Sequence, residues 1–501
     1  MKAKANLISH YGYWFCGSLL LPLSHGQFLM PVSAVLAPIL LMRFLRLQPT
    51  WQRMTLVYVA CVGAHAFAWQ GMVPLSSWQY FAVTGLIGSL YALPLLLDAK
   101  LSPYFSGIKN TLIFPLALVS IEITSSWLNL YGTWGAVAYS QYYSYLWLQW
   151  LSFFGMPGLT FLIAWWVSWL NWAWQHQFQW RLIRRGALIY SLTVTLALLL
   201  AGFRLLEPFT EKPSVRVAAI VADTKAHSPL TACQLTDWQC VKAHSAGTLD
   251  GFFKQSDAAV QAGAKIVFWQ EIAVTLDRSE QADALRQGQQ FAKKQQIYLG
   301  MSLLVIPNDF PQRLAQNKVI WIAPTGEIIG QYLKARPIPG EPSVQGQSGV
   351  FYFDTPWARV GSAICFDMDF PHFIRQAGRA KVDILLVPAH DWQAITPLHS
   401  HMAIFRAVEN GFSLMRATGQ GLSIATDYNG LILSQLDQFK TTQRILFADL
   451  PVQRRYALYP WIGTLVDVSF IVAFLCFAIT VWRRGRVAAE SAAVIQAQEM
   501  D

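Results

Sequence analysis

Residues 358–389 read ARVGSAICFDMDFPHFIRQAGRAKVDILLVPA: an apolar run (358–365), a helical stretch, and a second apolar run, VDILLVPA (382–389). Neither run alternates polar with apolar, so each reads as a strand covered on both faces, as happens inside layered α/β folds. The same grammar repeats outward. VRVAAIVA (215–222), AKIVFWQ (264–270), IYLGMSLLV (297–305) and NKVIWIAP (317–324) are further buried-strand candidates separated by helical segments. Residues 211–455 are therefore expected to form a mixed α/β domain with ordinary globular composition.

The flanks are different. The chain has 501 residues, 54% hydrophobic and only 13% charged, against roughly 25% charged in an average soluble protein, and its mean hydropathy is +0.33. A wholly soluble protein and a disordered one are both excluded. Apolar stretches near 12–24, 29–47, 54–74, 79–97, 111–131, 145–172 and 186–206 approach a membrane span in length, and another lies near 462–482. The first is short and broken by Pro22, but no small-residue cleavage site follows it, so it reads as a retained helix rather than a signal peptide. The expected organisation is a bundle of about seven helices over 1–210, the α/β domain over 211–455, a single C-terminal membrane helix over 456–486 and a tail over 487–501.

A net charge of +10 would fit a nucleic-acid binder if the cations clustered on one face. They do not. Residues 1–210 hold eleven Lys and Arg against Asp98, Glu122 and Glu207, leaving +8 in the hydrophobic half, between apolar runs. Lys2 and Lys4, Arg43, Arg46 and Arg53, Lys100 and Lys109, Arg181, Arg184 and Arg185, and finally Arg483, Arg484 and Arg486 occupy alternate connections; the others, around His25, Gly71 and Gly132, have none. By the positive-inside rule both termini are cytoplasmic and the 211–455 domain lies on the far side, which in a bacterium is the periplasmic face of the inner membrane. No nucleic-acid partner is expected.

Three polar residues close buried strands, where open α/β folds place their active sites: Glu271 after AKIVFWQ, Lys334 after EIIGQYL, and Cys365 after ARVGSAI. Singly, each has a bland reading, a buried small thiol or a solvated charge. Together they supply a nucleophile, a base to take its proton and a cation for the oxyanion formed on attack. The six cysteines, at 16, 61, 233, 240, 365 and 476, form no CxxC pair and no metal-ligand spacing, so no metal is expected. Cys233 and Cys240 either pair or stay free. Glu122, alone at membrane depth, should face the bundle or a wet path, with a structural and a catalytic role both open. His65 reads as an interhelical hydrogen-bonding group, and the aromatic run 139–154 as an interfacial belt.

Glu, Lys and Cys in this order, each at a strand end, resemble the nitrilase superfamily of carbon–nitrogen hydrolases. With a seven-span bundle before the domain and one span after it, the whole chain resembles the apolipoprotein N-acyltransferase family. The most specific stretch is HSHMAIFRAVENGFSLMRATGQGLSIATDYNG (399–430); ICFDMDFP (364–371), LKARPIPGEP (333–342) and YGTWGAVAYSQ (131–141) add to it. The resemblance implies an α-β-β-α sandwich, with Cys365 as nucleophile, Glu271 as general base, Lys334 as oxyanion cation and Glu341 as a second carboxylate. The Phe366 N–H would complete the oxyanion hole, and Asp367 stands where the family has Glu. Trp238, Trp392 and Glu122 are the substrate-side candidates. The implied reaction moves an acyl group from a membrane phospholipid, through a cysteine thioester, to the α-amine of a diacylglyceryl-cysteine on a lipoprotein, in a monomer and without a cofactor. The sequence departs from the pattern at VADTKAHS (221–228), where the family has Gln-Gly-Asn, and at AHDWQA (389–394), which keeps Asp391 and Trp392. The rival expectations are a membrane-tethered amidase with water as acceptor, a transporter with a soluble appendage, and an inert scaffold.

Overall fold

The computed structural model describes residues 2–75, 77–128, 131–206, 213–222, 237–346 and 349–498. Seven helices precede the first strand among them: α1 (Lys2–Leu20), α2 (Pro31–Leu47), α3 (Trp51–Ala68), α4 (Ser77–Leu101), α5 (Ile113–Leu128), α6 (Tyr145–Gln175) and α7 (Trp180–Leu205). Five helices in the described chain are long and apolar enough to cross a membrane, within Ser77–Tyr104, Gly107–Leu128, Tyr145–Gln175, Trp180–Leu205 and Tyr459–Arg484. The last begins a helix that runs on without a break to Gln498, so the stretch read as a tail is helical that far.

The bundle buries an ion pair. Arg46 donates to both oxygens of Asp98 at 2.8 Å, and both side chains are buried. His65 bonds the Cys61 carbonyl one turn back at 2.9 Å and stacks on His25 with ring centroids 3.7 Å apart, so its hydrogen bond is within its own helix rather than between helices. Nor is the 139–154 run purely an interfacial belt: Tyr139 packs edge-on against Phe405, and Tyr142 stacks on His401, both on a helix of the α/β domain.

That domain has two sheets. The first has the order β13-β1-β2-β4-β5-β6 with β3 on β4, and the second runs β12-β11-β10-β9-β8-β7. The six apolar runs form β1 (Ser214–Ile220), β2 (Ile266–Trp269), β4 (Tyr298–Ile306), β5 (Gln316–Ile322), β8 (Arg359–Ser362) and β9 (Ile384–His390); the others are β3 (Val274–Asp277), β6 (Ile328–Leu333), β7 (Phe351–Asp354), β10 (Ser413–Gly419), β11 (Leu422–Thr426), β12 (Ile432–Asp437) and β13 (Ile445–Pro451). Helices α8 (Trp238–Gln261) and α9 (Gln281–Gln295) cover the outer face of the first sheet through Leu249, Phe252, Ala284 and Ala292. Between the sheets lie Val217, Phe268, Trp321 and Val360, all fully buried. Beyond the second sheet come α10 (Pro371–Arg379) and α11 (Leu398–Asn410). The layers are α-β-β-α, as the resemblance implied.

Helix α11 has no solvent face because the bundle covers it. Met402, Ile404, Phe405 and Val408 pack against Leu148, Leu151, Met156 and Leu159 of α6. Fully burying each such side chain is worth about 1.5–3 kcal/mol, so this contact seats the domain on the bundle. Helix α6 breaks there: Gly155 has φ 62, and a Cβ on it would run into the Tyr459 ring. The chain returns to the bundle through α12 (Tyr459–Gln498).

Candidate active site

The ends of β2, β5, β6, β8 and β9 converge between the two sheets, and the polar residues they carry meet in one buried cluster. Glu271 lies just past β2, and its N–H reaches the Ala389 carbonyl of β9 at 3.3 Å. The next residue, Ile272, takes φ 52, and Cys365 itself takes φ 46. Left-handed backbone costs an L-residue about 1–2 kcal/mol, so the carboxylate and the thiol both sit at strained turns held by their surroundings. For Cys365 the holding is visible. Asp367 Oδ2 accepts the Ile364 N–H at 2.9 Å and the Tyr332 hydroxyl at 2.6 Å, while Oδ1 accepts the Arg336 N–H at 2.7 Å. Burial pushes the Asp367 carboxyl up to about 6 against these three donors. Phe366 is the second residue of the short 3₁₀ segment Cys365–Asp369, where the leading N–H groups have no partner within the turn.

Lys334 is buried between two carboxylates. Its Nζ donates to Glu271 Oε1 at 2.8 Å and to Glu341 Oε2 at 2.7 Å. Desolvation opposes its charge, but the two anions win and hold the ammonium well above the usual lysine range. Glu341 Oε1 accepts from Asn317 Nδ2 at 3.0 Å and Ser343 Oγ at 2.7 Å, and Oε2 also takes the Ile338 N–H at 3.1 Å. Burial works against that carboxylate too, yet Lys334 and these donors bring it below its ordinary value. Asn317 bridges the carboxylates, reaching Glu271 Oε1 at 2.7 Å.

The thiol is nearly inaccessible. Cys365 Sγ lies 3.7 Å from the His390 carbonyl and 4.0 Å from Arg416 Nη2. Burial, then the Glu271 carboxylate, push it well above the usual thiol range, while Lys334 and Arg416 pull the other way. Arg416 on β10 donates to Asp391 Oδ2 and Oδ1 at 2.8 and 2.9 Å. Asp391 Oδ1 also faces His399 Nδ1 at 2.8 Å, and His399 Nε2 faces Asp369 Oδ2 at 3.1 Å. Although burial disfavours the imidazolium, these two carboxylates raise His399 to about 9, and Arg416 and His399 hold Asp391 below the usual carboxylate range. Cys365, Asp391 and His399 place donor atoms within 4.8 Å of one another, the spacing of a metal site. They do not fit a metal: the Arg416 guanidinium, itself a cation, already lies against all three, donating to both oxygens of Asp391 and placing Nη2 2.9 Å from His399 Nδ1 and 4.0 Å from Cys365 Sγ.

An apolar pocket opens beside Cys365, with about 450 Å³ of empty space that includes open solvent, and its wall comes from both parts of the chain. Trp69, Met72 and Val73 precede α4, Tyr131 and Trp134 precede α6, and Phe366, Trp392 and His399 belong to the domain. Trp392 fixes the junction by donating Nε1 to the Gly71 carbonyl at 2.7 Å. Trp134 donates to Asp369 Oδ2 at 2.8 Å and, with Tyr131, also lines a second open pocket, whose wall includes Glu122. Glu122 accepts the Val137 N–H and the Thr160 hydroxyl, both at 2.8 Å. It does not join the cysteine cluster. The Trp238 side chain lies outside the described residues, as do 223–228 and Cys233; Cys240 is disulfide-bonded.

Of the residues read from sequence, Glu271, Lys334, Glu341 and Cys365 come together, with Asp367 and Phe366 at the cysteine turn. Sequence reasoning gave no role to Asn317, Ser343, Asp369, His399 or Arg416. His399 and Arg416 lie in the stretch that carries the family resemblance, and that was their signal; a lone Asn at a strand start gave none.

Residues 17–170 match the model of the apolipoprotein N-acyltransferase N-terminal domain, and residues 230–459 match that of carbon-nitrogen hydrolases. An apolipoprotein N-acyltransferase of Haemophilus ducreyi is 26% identical over 369 residues, 67% of this chain and 68% of that one. One of Vibrio vulnificus is 33% identical over 131 residues, 25% of each chain, so the chain spans about a quarter of that relative's length. Among solved structures, an amidase from Nesterenkonia sp. covers 50% of this chain and 94% of its own at 19% identity and a TM-score of 0.39. One family model falls on the helices and the other on the domain that holds Cys365, and with relatives of the same name matching up to two thirds of its length, the chain belongs to the apolipoprotein N-acyltransferase family of the nitrilase superfamily.

Proposed function

We propose that the protein takes a fatty acyl group from a membrane phospholipid onto Cys365 as a thioester and passes it to the α-amine of the N-terminal diacylglyceryl-cysteine of an apolipoprotein. Glu271 takes the thiol proton, and the thiolate attacks the ester carbonyl. The oxyanion is stabilised by the Lys334 ammonium and the Phe366 N–H; on collapse the lysophospholipid leaves with the proton from Glu271. In the second half the amine attacks the thioester, Glu271 takes the amine proton, and the thiolate departs and is reprotonated.

The observation that carries this reading is the open pocket beside Cys365, whose wall is built partly from bundle residues and is predominantly apolar. A hydrolase of small water-soluble amides has no use for that wall, whereas an acyl chain fills it. The positive-inside pattern supports a periplasmic domain with both termini in the cytoplasm. Intact-mass measurement of protein purified from membranes tests the chemistry. A fatty-acyl mass released by neutral hydroxylamine and absent from Cys365→Ser is expected; an unacylated enzyme, or a Cys365→Ser variant that still transfers acyl groups, overturns it.

A further inference from the structure

A thiol proton passed to Glu271 leaves the total charge of the pocket unchanged and moves the negative charge from a carboxylate to sulfur. The position of that equilibrium depends on which cations sit nearer each end. Lys334 and Asn317 both donate to Glu271 Oε1, at 2.8 and 2.7 Å, and so stabilise the charge where it starts. On the sulfur side, the His390 carbonyl oxygen at 3.7 Å accepts from a thiol and repels a thiolate. Arg416 Nη2, at 4.0 Å from Sγ, has no hydrogen bond to Glu271. It is a cation that touches sulfur and not the base.

We propose that Arg416 is a catalytic residue of this enzyme, a second cation that receives the Cys365 thiolate and draws the proton toward Glu271, while Lys334 serves the oxyanion. The proposal rests on Cys365 being the nucleophile. The guanidinium is placed for the task. It is fully buried, so it is not screened by water. Nη1 donates to Asp391 Oδ2, Ser400 Oγ and Thr418 Oγ1 at 2.8, 2.8 and 2.9 Å, which fixes the plane of the fork. Asp391 does not cancel the charge by itself, because it is shared with His399, which in turn is bonded to Asp369. The groups facing the sulfur are Glu271 from the end of β2, Lys334 from β6, His390 and Asp391 from β9, Arg416 from β10, and His399 from α11. In the first half-reaction the thiolate formed against Arg416 attacks. In the second, the same thiolate is the leaving group, so Arg416 acts in both directions.

The test is the pH dependence of Cys365 alkylation by iodoacetamide in the full-length, detergent-solubilised protein, read by intact mass beside acyl transfer from phosphatidylethanolamine to a diacylglyceryl-cysteine peptide. Arg416→Met should move the alkylation profile to higher pH, lowering the rate at neutral pH on the order of tenfold for each unit moved, and transfer should fall in parallel. Arg416→Lys keeps a charge on Asp391 but gives up the second nitrogen that reaches sulfur, so its shift should be intermediate. A merely structural role would not move the profile in this graded way. A wild-type profile in Arg416→Met overturns the proposal, and if that variant does not fold, a wild-type profile in Arg416→Lys overturns it. The reading beneath it fails separately, by Cys365→Ser remaining active.

Discussion

The imidazole of His399, buried between Asp391 and Asp369, makes the stability of the domain depend on pH. Its folded value of about 9 lies above the ordinary 6.5, a gap worth about 3 kcal/mol at ~1.4 kcal/mol per pH unit. Because the folded value is raised, the folded state binds the proton more tightly than the unfolded one. The stabilisation is fully present below pH 6.5 and is lost as pH rises through about 9. In a chain of this size 1 kcal/mol moves Tm by about 2 °C or less, so the imidazolium should contribute ~5 °C that disappears across this window. The perturbation is His399→Gln, which removes the titration. Thermal unfolding in detergent, followed by tryptophan fluorescence from pH 6 to pH 10, should show the wild type losing its advantage over the variant as pH rises. Parallel curves for the two proteins, with the same difference at pH 6 and pH 10, would refute a protonated His399 in the folded state.

Three further outcomes follow from the same geometry. Lys334→Met should slow acyl transfer on the order of 10²- to 10³-fold and also strand an acyl group loaded chemically on Cys365, because both half-reactions pass through an oxyanion; discharge at the wild-type rate would remove Lys334 from that role. Gly132 has φ +60, and a Cβ there would lie 2.6 Å from the Asp369 carbonyl oxygen, so Gly132→Ala should displace the Thr133 and Trp134 bonds to Asp369 and reduce transfer in a folded protein, read by the same peptide assay. Glu409→Leu leaves Arg406 and the Met156 N–H without their partner and should lower stability by about 3–5 kcal/mol, with partial recovery on adding Arg406→Met, measured by thermal unfolding.

The strands that could be read from sequence are those whose two faces are both covered. β4 is buried at all nine positions and β5 at six of its seven, and an uninterrupted apolar run is the trace such a strand leaves. The edges leave none: β12, ILSQLD, is exposed at three of its six positions and reads as loop. β10 was hidden for the opposite reason. All of SLMRATG is buried, but Arg416 interrupts the apolar run, and nothing local says that a buried arginine has Asp391 to pair with. The site divides in the same way. Glu271, Lys334 and Cys365 stand out as polar residues ending apolar runs, whereas the roles of Asn317, Asp369 and His399 exist only through contacts between elements far apart in the chain. Glu122 was expected to face the bundle or a wet path; it takes Val137 and Thr160 as partners and lines an open pocket, and its separation from the cysteine cluster needed the third dimension.

The junction between bundle and domain is more than two apolar faces in contact. Where α6 breaks at Gly155, the Met156 N–H loses its helical acceptor, and inside a membrane protein an unsatisfied backbone donor costs several kcal/mol. The acceptor is supplied from the other part of the chain: Glu409 Oε1 of α11, at 2.9 Å. Glu409 is held by Arg406 at 2.9 Å, Arg375 of α10 reaches Asp467 of α12 at 3.3 Å, and Arg204 of α7 donates to Gln149 Oε1 at 3.0 Å and to the Tyr428 carbonyl at 3.3 Å. An apolar interface alone tolerates sliding, because hydrophobic burial is non-directional. These bonds tolerate little, since shifting α11 along α6 by one residue strands a buried charge and a buried N–H together. The cavity beside Cys365 takes its wall from both sides of this junction, so its shape is only as constant as that register. The broken α6 is in this sense part of the site: it draws the domain's own carboxylate into the bundle and so fixes the domain that carries Cys365 against the helices.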